Sequence, residues 1–214
     1  MIRGRLVASL AVFALASGCA QGKTDDSSSP RAEGATESAA PSPSASARPE
    51  FSPGEVQSAW WSWAAGAPSG RNPVEDTTGG YCAEGQPSDL WFLAGTFGGS
   101  VKRRCAVPAD RTLVAPIVNL VATQEDCAAF MNAASGSFML DGKKTELQRW
   151  SATPVTVTGV AGNPVTQAEG QTQGYGCGLW ATVPPLAPGA HEASIRGTSG
   201  DLRVSVDYEL TVTK

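Results

Sequence analysis

An antiparallel β-sandwich with one or two short helices is what the sequence predicts for residues 51–214, and three observations predict it. The last stretch alternates Leu202, Val204, Val206, Tyr208, Leu210 and Val212 with Arg203, Ser205, Asp207, Glu209, Thr211 and Thr213. A period of two lays every apolar side chain on one face, as in a strand buried on one side only. Glycine (24) and proline (15) are abundant, which favours short strands joined by turns. Asp141-Gly142, between two strand-like runs, supplies the positive φ angles of a two-residue hairpin turn.

The remaining elements follow in chain order. Ser52-Pro53-Gly54-Glu55 is a capping box with proline at the favoured first helical position. Val56, Ala59, Trp60 and Trp63 recur at helical spacing, which predicts a helix over 53–65 whose tryptophan stripe packs on the body of the domain. Gly66, Pro68 and Gly70 end it. Leu90-Trp91-Phe92-Leu93-Ala94 is a continuous apolar run, as expected of a strand buried on both faces. Residues 101–107 and 112–121 are further strands, and Pro116 makes the second an edge strand or a bulged one. Thr123-Gln124-Glu125-Asp126 starts a short helix that runs to residue 133 and buries Cys127 with Phe130 or Met131. The hairpin around Asp141-Gly142 joins 138–140 to the residues from Lys143 onward. Residues 154–160 form a threonine-rich strand with Val155 and Val157 inward and Val160 as a third candidate. Gly162 to Gly178, rich in glycine and glutamine, reads mostly as loop, and 179–183 returns to strand.

Residues 1–50 have a different character. Arg3 and Arg5 precede an apolar run, Leu6 to Ala16, that falls well short of the roughly 20 residues a spanning helix needs. The run ends in Leu15-Ala16-Ser17-Gly18-Cys19, which resembles the lipobox of bacterial lipoproteins, with Ala16 where leucine is usual. The resemblance implies a signal peptide over 1–18 and lipidation of Cys19 by acyl chains such as palmitate. It also implies an address on the extracellular face of the cell membrane. Ser, Pro, Ala, Gly and Thr fill 22 of the 31 positions from 20 to 50, so residues 19–50 are expected to be a disordered tether with almost nothing to bury.

Charge and cysteine content narrow the chemistry. With 16 Lys/Arg against 20 Asp/Glu the chain carries a net charge of −4, without the concentrated basic face that nucleic acid requires. Four cysteines remain besides Cys19: Cys82, Cys105, Cys127 and Cys177. An even number in an exported chain predicts two disulfides. Three pairings are possible, and Cys82–Cys105 with Cys127–Cys177 is favoured because the first pair flanks the 90–94 strand. No two cysteines have C-x2-C spacing and there is one histidine, so no metal or cofactor is expected.

Candidate chemistry is sparse. His191 would have to serve any histidine-dependent mechanism, yet it follows a Pro-Gly turn at a strand start and reads as structural. Glu75, Asp76, Asp89, Asp110 and Asp141 are candidate glycan-active carboxylates, but no spacing selects a pair. Trp60, Trp63 and Trp91 belong to the core, whereas Trp61 lies off the helical stripe and is expected to be an exposed contact. Lys102-Arg103-Arg104 after Gly98-Gly99-Ser100 reads as a solvated hairpin end able to meet an anionic polymer or lipid headgroups. Asp76, Gln86 and Asn119 are the polar residues expected to line one recognition pocket. Gly174-Tyr175-Gly176-Cys177-Gly178 lacks the strand–loop–helix frame of a phosphate loop.

Several stretches resemble a group of secreted actinobacterial proteins and lipoproteins of unknown function. They are Asn72-Pro73, Asp76-Thr77-Thr78-Gly79 with Cys82, Gln86, Trp91-Phe92-Leu93-Ala94-Gly95-Thr96, and Arg104-Cys105 with Val107-Pro108. Pro116, Asn119, Asp141-Gly142, Pro185-Leu186, Pro188-Gly189 and His191 complete the pattern. The closing Pro-Leu-x-Pro-Gly-x-His also resembles the last hairpin of immunoglobulin-like sandwiches, so the sandwich is expected to be immunoglobulin-like or jelly-roll-like. Neither resemblance implies an activity. The leading expectation is a non-catalytic, membrane-anchored binding or wall-associated domain, with Trp61, Asp76, Gln86, Arg104 and Asn119 as binding candidates and cell-wall polymer or another envelope protein as partner. The alternatives are a secreted hydrolase acting on wall glycan or peptide, and a purely structural envelope protein. The lipid anchor is tested by Cys19→Ala: the protein should leave the membrane fraction for the soluble one, because two buried acyl chains are what hold it there.

Overall fold

The structure, a computed structural model, describes residues 51–214. The expected signal peptide, Cys19 and the tether lie outside the described residues. The elements are α1 (Pro53–Ala64), β1 (Leu90–Phe92), β2 (Gly99–Pro108), β3 (Thr112–Ala122), α2 (Gln124–Ala133), β4 (Ser135–Leu140), β5 (Lys143–Thr145), β6 (Gln148–Gly159), β7 (Gly170–Val183), β8 (Gly189–Ser199) and β9 (Leu202–Thr213). They form two sheets, one in the order β1-β3-β7-β6 and the other β2-β9-β8-β4-β5. The sheets pack face to face as a β-sandwich, and both are mixed rather than purely antiparallel. β1 runs parallel to β3, and β2 runs parallel to β9.

Local sequence explains most boundaries. Ser52 caps α1 reciprocally with Glu55, and these bonds hold the Glu55 carboxyl below its ordinary value. At the other end Asn72 is buried and donates to the carbonyls of Ala64 and Ala67, so a side chain satisfies backbone that the helix leaves open. Thr123 caps α2 through the Asp126 amide. Asp141 (φ 48°) and Gly142 (φ 74°) make the primed turn between β4 and β5. In β9 the odd-even pattern holds: Val204, Val206, Tyr208, Leu210 and Val212 are all buried.

The first sheet is covered on both sides, which gives the domain two cores. Trp91, Leu93, Leu113, Ala115 and Ile117 face the second sheet, whose inner face supplies Val107, Phe138, Ile195, Val206 and Leu210. Leu90, Phe92, Ala94 and Val114 face the other way, onto Val56, Trp60, Trp63 and Ala64 of α1. The unbroken apolar run 90–94 follows from this double burial. Trp60 is the hub of the second core, with edge-on contacts to Trp61, Trp63 and Trp180 at 4.9, 6.0 and 5.9 Å between ring centroids.

Two expectations are corrected and a third is decided. The glycine-rich stretch is not mostly loop: residues 170–183 are one 14-residue strand, β7, in the middle of its sheet. Its glycines are there for close approach. A Cβ at Gly178 would stand 2.6 Å from the Val118 carbonyl oxygen and 2.8 Å from Trp180 Nε1, and one at Gly176 would stand 2.9 Å from Gln57 Oε1. Of the two readings of Pro116, edge strand or bulged strand, the second holds. β3 lies between β1 and β7, and the register slips at Pro116/Val118, so the proline is absorbed by a bulge. Lys102-Arg103-Arg104 is no solvated hairpin end, because it sits in mid-strand β2 with Arg103 pointing inward at 1% exposure.

Arg103 organises the open edge of the second sheet. Its Nε donates to the Asp76 carbonyl at 2.7 Å and its Nη2 to the Val74 carbonyl at 3.0 Å. Its Nη1 reaches the Ala94 and Gly95 carbonyls and the Tyr208 hydroxyl, at 2.8, 3.0 and 2.8 Å. Tyr208 in turn donates to the Ala94 carbonyl at 2.7 Å. The 72–85 segment is thereby strapped over β2, the edge strand. The Arg104 amide donates to the Thr78 carbonyl, and a Cβ at Gly79 (φ 97°) would lie 2.3 Å from the Arg104 carbonyl oxygen. Cys82–Cys105 ties the same strap covalently, while Cys127–Cys177 ties α2 to β7, with Cα separations of 5.9 and 5.8 Å. Chain-entropy estimates for closing these loops are roughly 3.4 and 4 kcal/mol.

Replacing Arg103 by methionine keeps the apolar stem and removes the guanidinium donors from four backbone carbonyls, of which only Ala94 keeps another donor, the Tyr208 hydroxyl. Each unsatisfied buried acceptor costs on the order of 1–3 kcal/mol, so Arg103→Met should lower unfolding free energy in urea by at least about 3 kcal/mol, against about 1 kcal/mol for Tyr208→Phe.

Candidate functional site

The strongest candidate is a cleft of about 390 Å³ on the outer face of the first sheet, beside the start of α1. Its floor is apolar: Val56 of α1, Leu90 of β1 and Val114 of β3. Trp150 of β6 and Phe51 line its sides. Polar groups come from three places. Ser88 and Asp89 lie on the loop entering β1, Asp110 on the β2–β3 turn, and Gln148 and Thr182 on β6 and β7.

Each part is placed by the fold. Trp150 stacks on the buried Trp180, 5.0 Å between centroids and 25° between planes, which fixes its ring while leaving it partly exposed to the cleft. Thr182 donates to Gln148 Oε1 at 3.0 Å, which leaves the Gln148 amide group free to donate. Arg111 holds the two acidic loops together, with Nη1 donating to the Pro87 carbonyl and Nε 3.5 Å from Asp110 Oδ1. Asp89 and Asp110, two of five carboxylates between which the sequence offers no choice, thus share one cleft. Asp110 is 82% exposed and lacks the burial that lifts a carboxyl into general-acid range.

The residues singled out in the sequence fall elsewhere. Trp61 is not an exposed contact: it is 6% exposed and packs edge-on to Trp60 in the second core. Its position off the apolar stripe misled because loop residues such as Val74 cover that side of α1 as well. Asp76 spends its carboxylate on its own turn. Burial alone would raise its carboxyl, but the amides of Tyr81, Thr78 and Gly79 and the Thr78 hydroxyl hold it below its ordinary value. Gln86 pairs with the backbone of Phe92 through both amide atoms and also donates to the Cys82 carbonyl. Lys102 and Arg104 both bind Glu209 and draw its carboxyl down to about 2, so one carboxylate offsets half of the charge of the expected basic patch. Asn119 keeps its buried side-chain amide without a partner, on the wall of a small cavity it shares with Trp61.

His191 is a turn clamp. Nδ1 lies 2.7 Å from Asp141 Oδ2 and Nε2 lies 2.9 Å from the Ala187 carbonyl, while Asp141 Oδ1 accepts from the Glu192 amide. With an acceptor at each ring nitrogen the imidazolium is favoured. The Asp141 carboxylate and the Ala187 carbonyl raise the histidine above its ordinary value, and the histidine lowers Asp141.

Trp150, Gln148 and Thr182 were missed in the sequence. The available signal was a tryptophan with polar neighbours, Gln148 and Arg149, outside any apolar run. Among the described residues no cluster of His, Cys, Asp or Glu is placed to hold a metal, and no helix is long and apolar enough to cross a membrane. No protein-family model, no curated protein and no solved structure matches the chain.

The clamp fixes a pH dependence. A histidine raised on folding contributes stability that is complete below about pH 6.5, its unfolded value, and is lost as pH rises through the folded value. The single imidazole should titrate above pH 6.5 by NMR. The stability difference between wild type and His191→Ala should shrink as pH rises from 6 to 9.

Proposed function

We propose that this chain is an exported lipoprotein, held at the outer face of the cell membrane by a lipid on Cys19, whose 51–214 domain binds a saccharide of the cell envelope in the Trp150 cleft. The observation that carries this reading is Trp150 itself, braced on one side by Trp180 and partly open to a cleft edged with hydrogen-bonding groups. A sugar ring presents an apolar face for stacking and a rim of hydroxyls. Gln148, Ser88 and the carboxylates of Asp89 and Asp110 suit that rim. Two carboxylates make the cleft acidic, which favours neutral or amino sugars over anionic polymer.

The shared cleft of Asp89 and Asp110 also favours a second reading, a hydrolase acting on the same glycan. The exposure of Asp110 weighs toward binding without cleavage. Affinity electrophoresis of the 47–214 unit in gels containing isolated wall polysaccharide separates the two. That unit is compact by itself and carries both cores and both disulfides. Wild type should be retarded, and Trp150→Ala should weaken retardation about tenfold, the factor equivalent to ~1.4 kcal/mol. Unchanged retardation by Trp150→Ala would remove the cleft from the reading. Release of new reducing ends by wild type, lost in Asp89→Asn, would replace binding with hydrolysis.

A further inference from the structure

A second cavity, sharing no lining residue with the cleft, lies where α1, the loop after β1, the β3 bulge and the start of β9 meet. It measures about 180 Å³. Its walls are apolar, with Pro116, Ile117 and Val118 from the bulge and Val204 from β9. Three wall residues carry buried donors without any partner: the indole N–H groups of Trp60 and Trp61 and the Asn119 side-chain amide. Unpaired buried polar groups are rare in folded proteins, and each costs on its own. The other side chains with unpartnered buried atoms, Gln57, Trp91, Trp180 and Arg111, do not line this cavity. Every unpartnered side-chain group on the wall is therefore a donor.

Charge reinforces the selection. The Arg103 guanidinium lies directly behind the wall, donating to the carbonyls of Val74 and Gly95, which both line the cavity. Its hydrogen bonds go only to neutral oxygens, so its positive field reaches the cavity and favours the negative end of a dipole. Four of the five guanidinium N–H groups are engaged by these oxygens. An unpaired carboxylate buried there would be costly. Phe97 lines the cavity with 49% of its surface exposed and precedes Gly98 and Gly99, both at positive φ, which marks this loop as the mouth.

We infer that this cavity is a binding site for a small, uncharged apolar molecule bearing a carbonyl-type acceptor and no donor, such as a short acyl ester or a ketone. The volume suits a single ring or a short chain, since an apolar cavity of about 150 Å³ takes up benzene. The apolar body fills the space between the bulge and β9, and the acceptor meets the indole and amide donors.

The test is NMR titration of the 15N-labelled 47–214 unit with acetophenone, toluene and benzylamine. The first offers an acceptor, the second neither acceptor nor donor, the third a cationic donor. The indole signals of Trp60 and Trp61 are assigned with Trp60→Phe and Trp61→Phe. Acetophenone should shift these signals saturably and bind about tenfold more tightly than toluene, the factor that one hydrogen bond of ~1.4 kcal/mol gives. Benzylamine should not bind. Asn119→Leu and Trp61→Phe should each reduce the preference for acetophenone. Should one variant not fold, the other together with the wild-type ratio still decides. Absence of any saturable indole shift means a cavity filled by water alone, and equal affinity for acetophenone and toluene means donors that do not meet the ligand. Either result overturns the inference.

Discussion

A positive charge placed inside an apolar sandwich is the constraint on which the rest of the architecture turns. Arg103 occupies an inward position of β2 where valine or leucine would be ordinary, and no carboxylate bonds to it. A buried guanidinium is tolerated only when its donors are met. Meeting them requires carbonyls from two stretches, Val74–Asp76 and Ala94–Gly95, together with the Tyr208 hydroxyl. The shape of the 72–85 strap is thus dictated from within, and the neighbouring disulfide and the Asp76 turn lock a geometry that the arginine demands.

That strap also protects the sheet. β2 is an edge strand, and an open edge invites pairing with other chains. Here the Thr78 carbonyl takes up an edge amide, and the outward charges Lys102 and Arg104 are held by Glu209. The Lys-Arg-Arg triplet therefore divides its labour by the pleat, with the middle residue gripping the strap from inside and its neighbours capping the exterior.

Much of the fold was legible in the sequence where one physical signal governed a segment. The alternation of residues 202–213, the capping box at Ser52, the Asp141-Gly142 turn and the double burial of 90–94 each reflect local chemistry, and each appears as expected. Both cysteine pairs were legible because the first brackets a strand. Failures came where a residue type has two uses. Glycine reads as loop but serves β7 as clearance for Trp180 and Gln57. Proline reads equally as edge or as bulge, and only the sheet order decides for a bulge in a central strand. Arginine reads as solvent-facing but is buried among carbonyls. The cleft was the least legible part, because Trp150, Asp89 and Asp110 come from strands and turns that only the sheet order brings together. Parallel pairing was illegible for the same reason, since a strand's own sequence does not state its partner.

The position of β9 carries one more consequence. It lies between β2 and β8, and its pairing with β2 joins Arg103 to Tyr208 across 105 positions. Removing β9 would unpair β2 and β8 at once, so the two neighbours stand or fall with it as one cooperative unit.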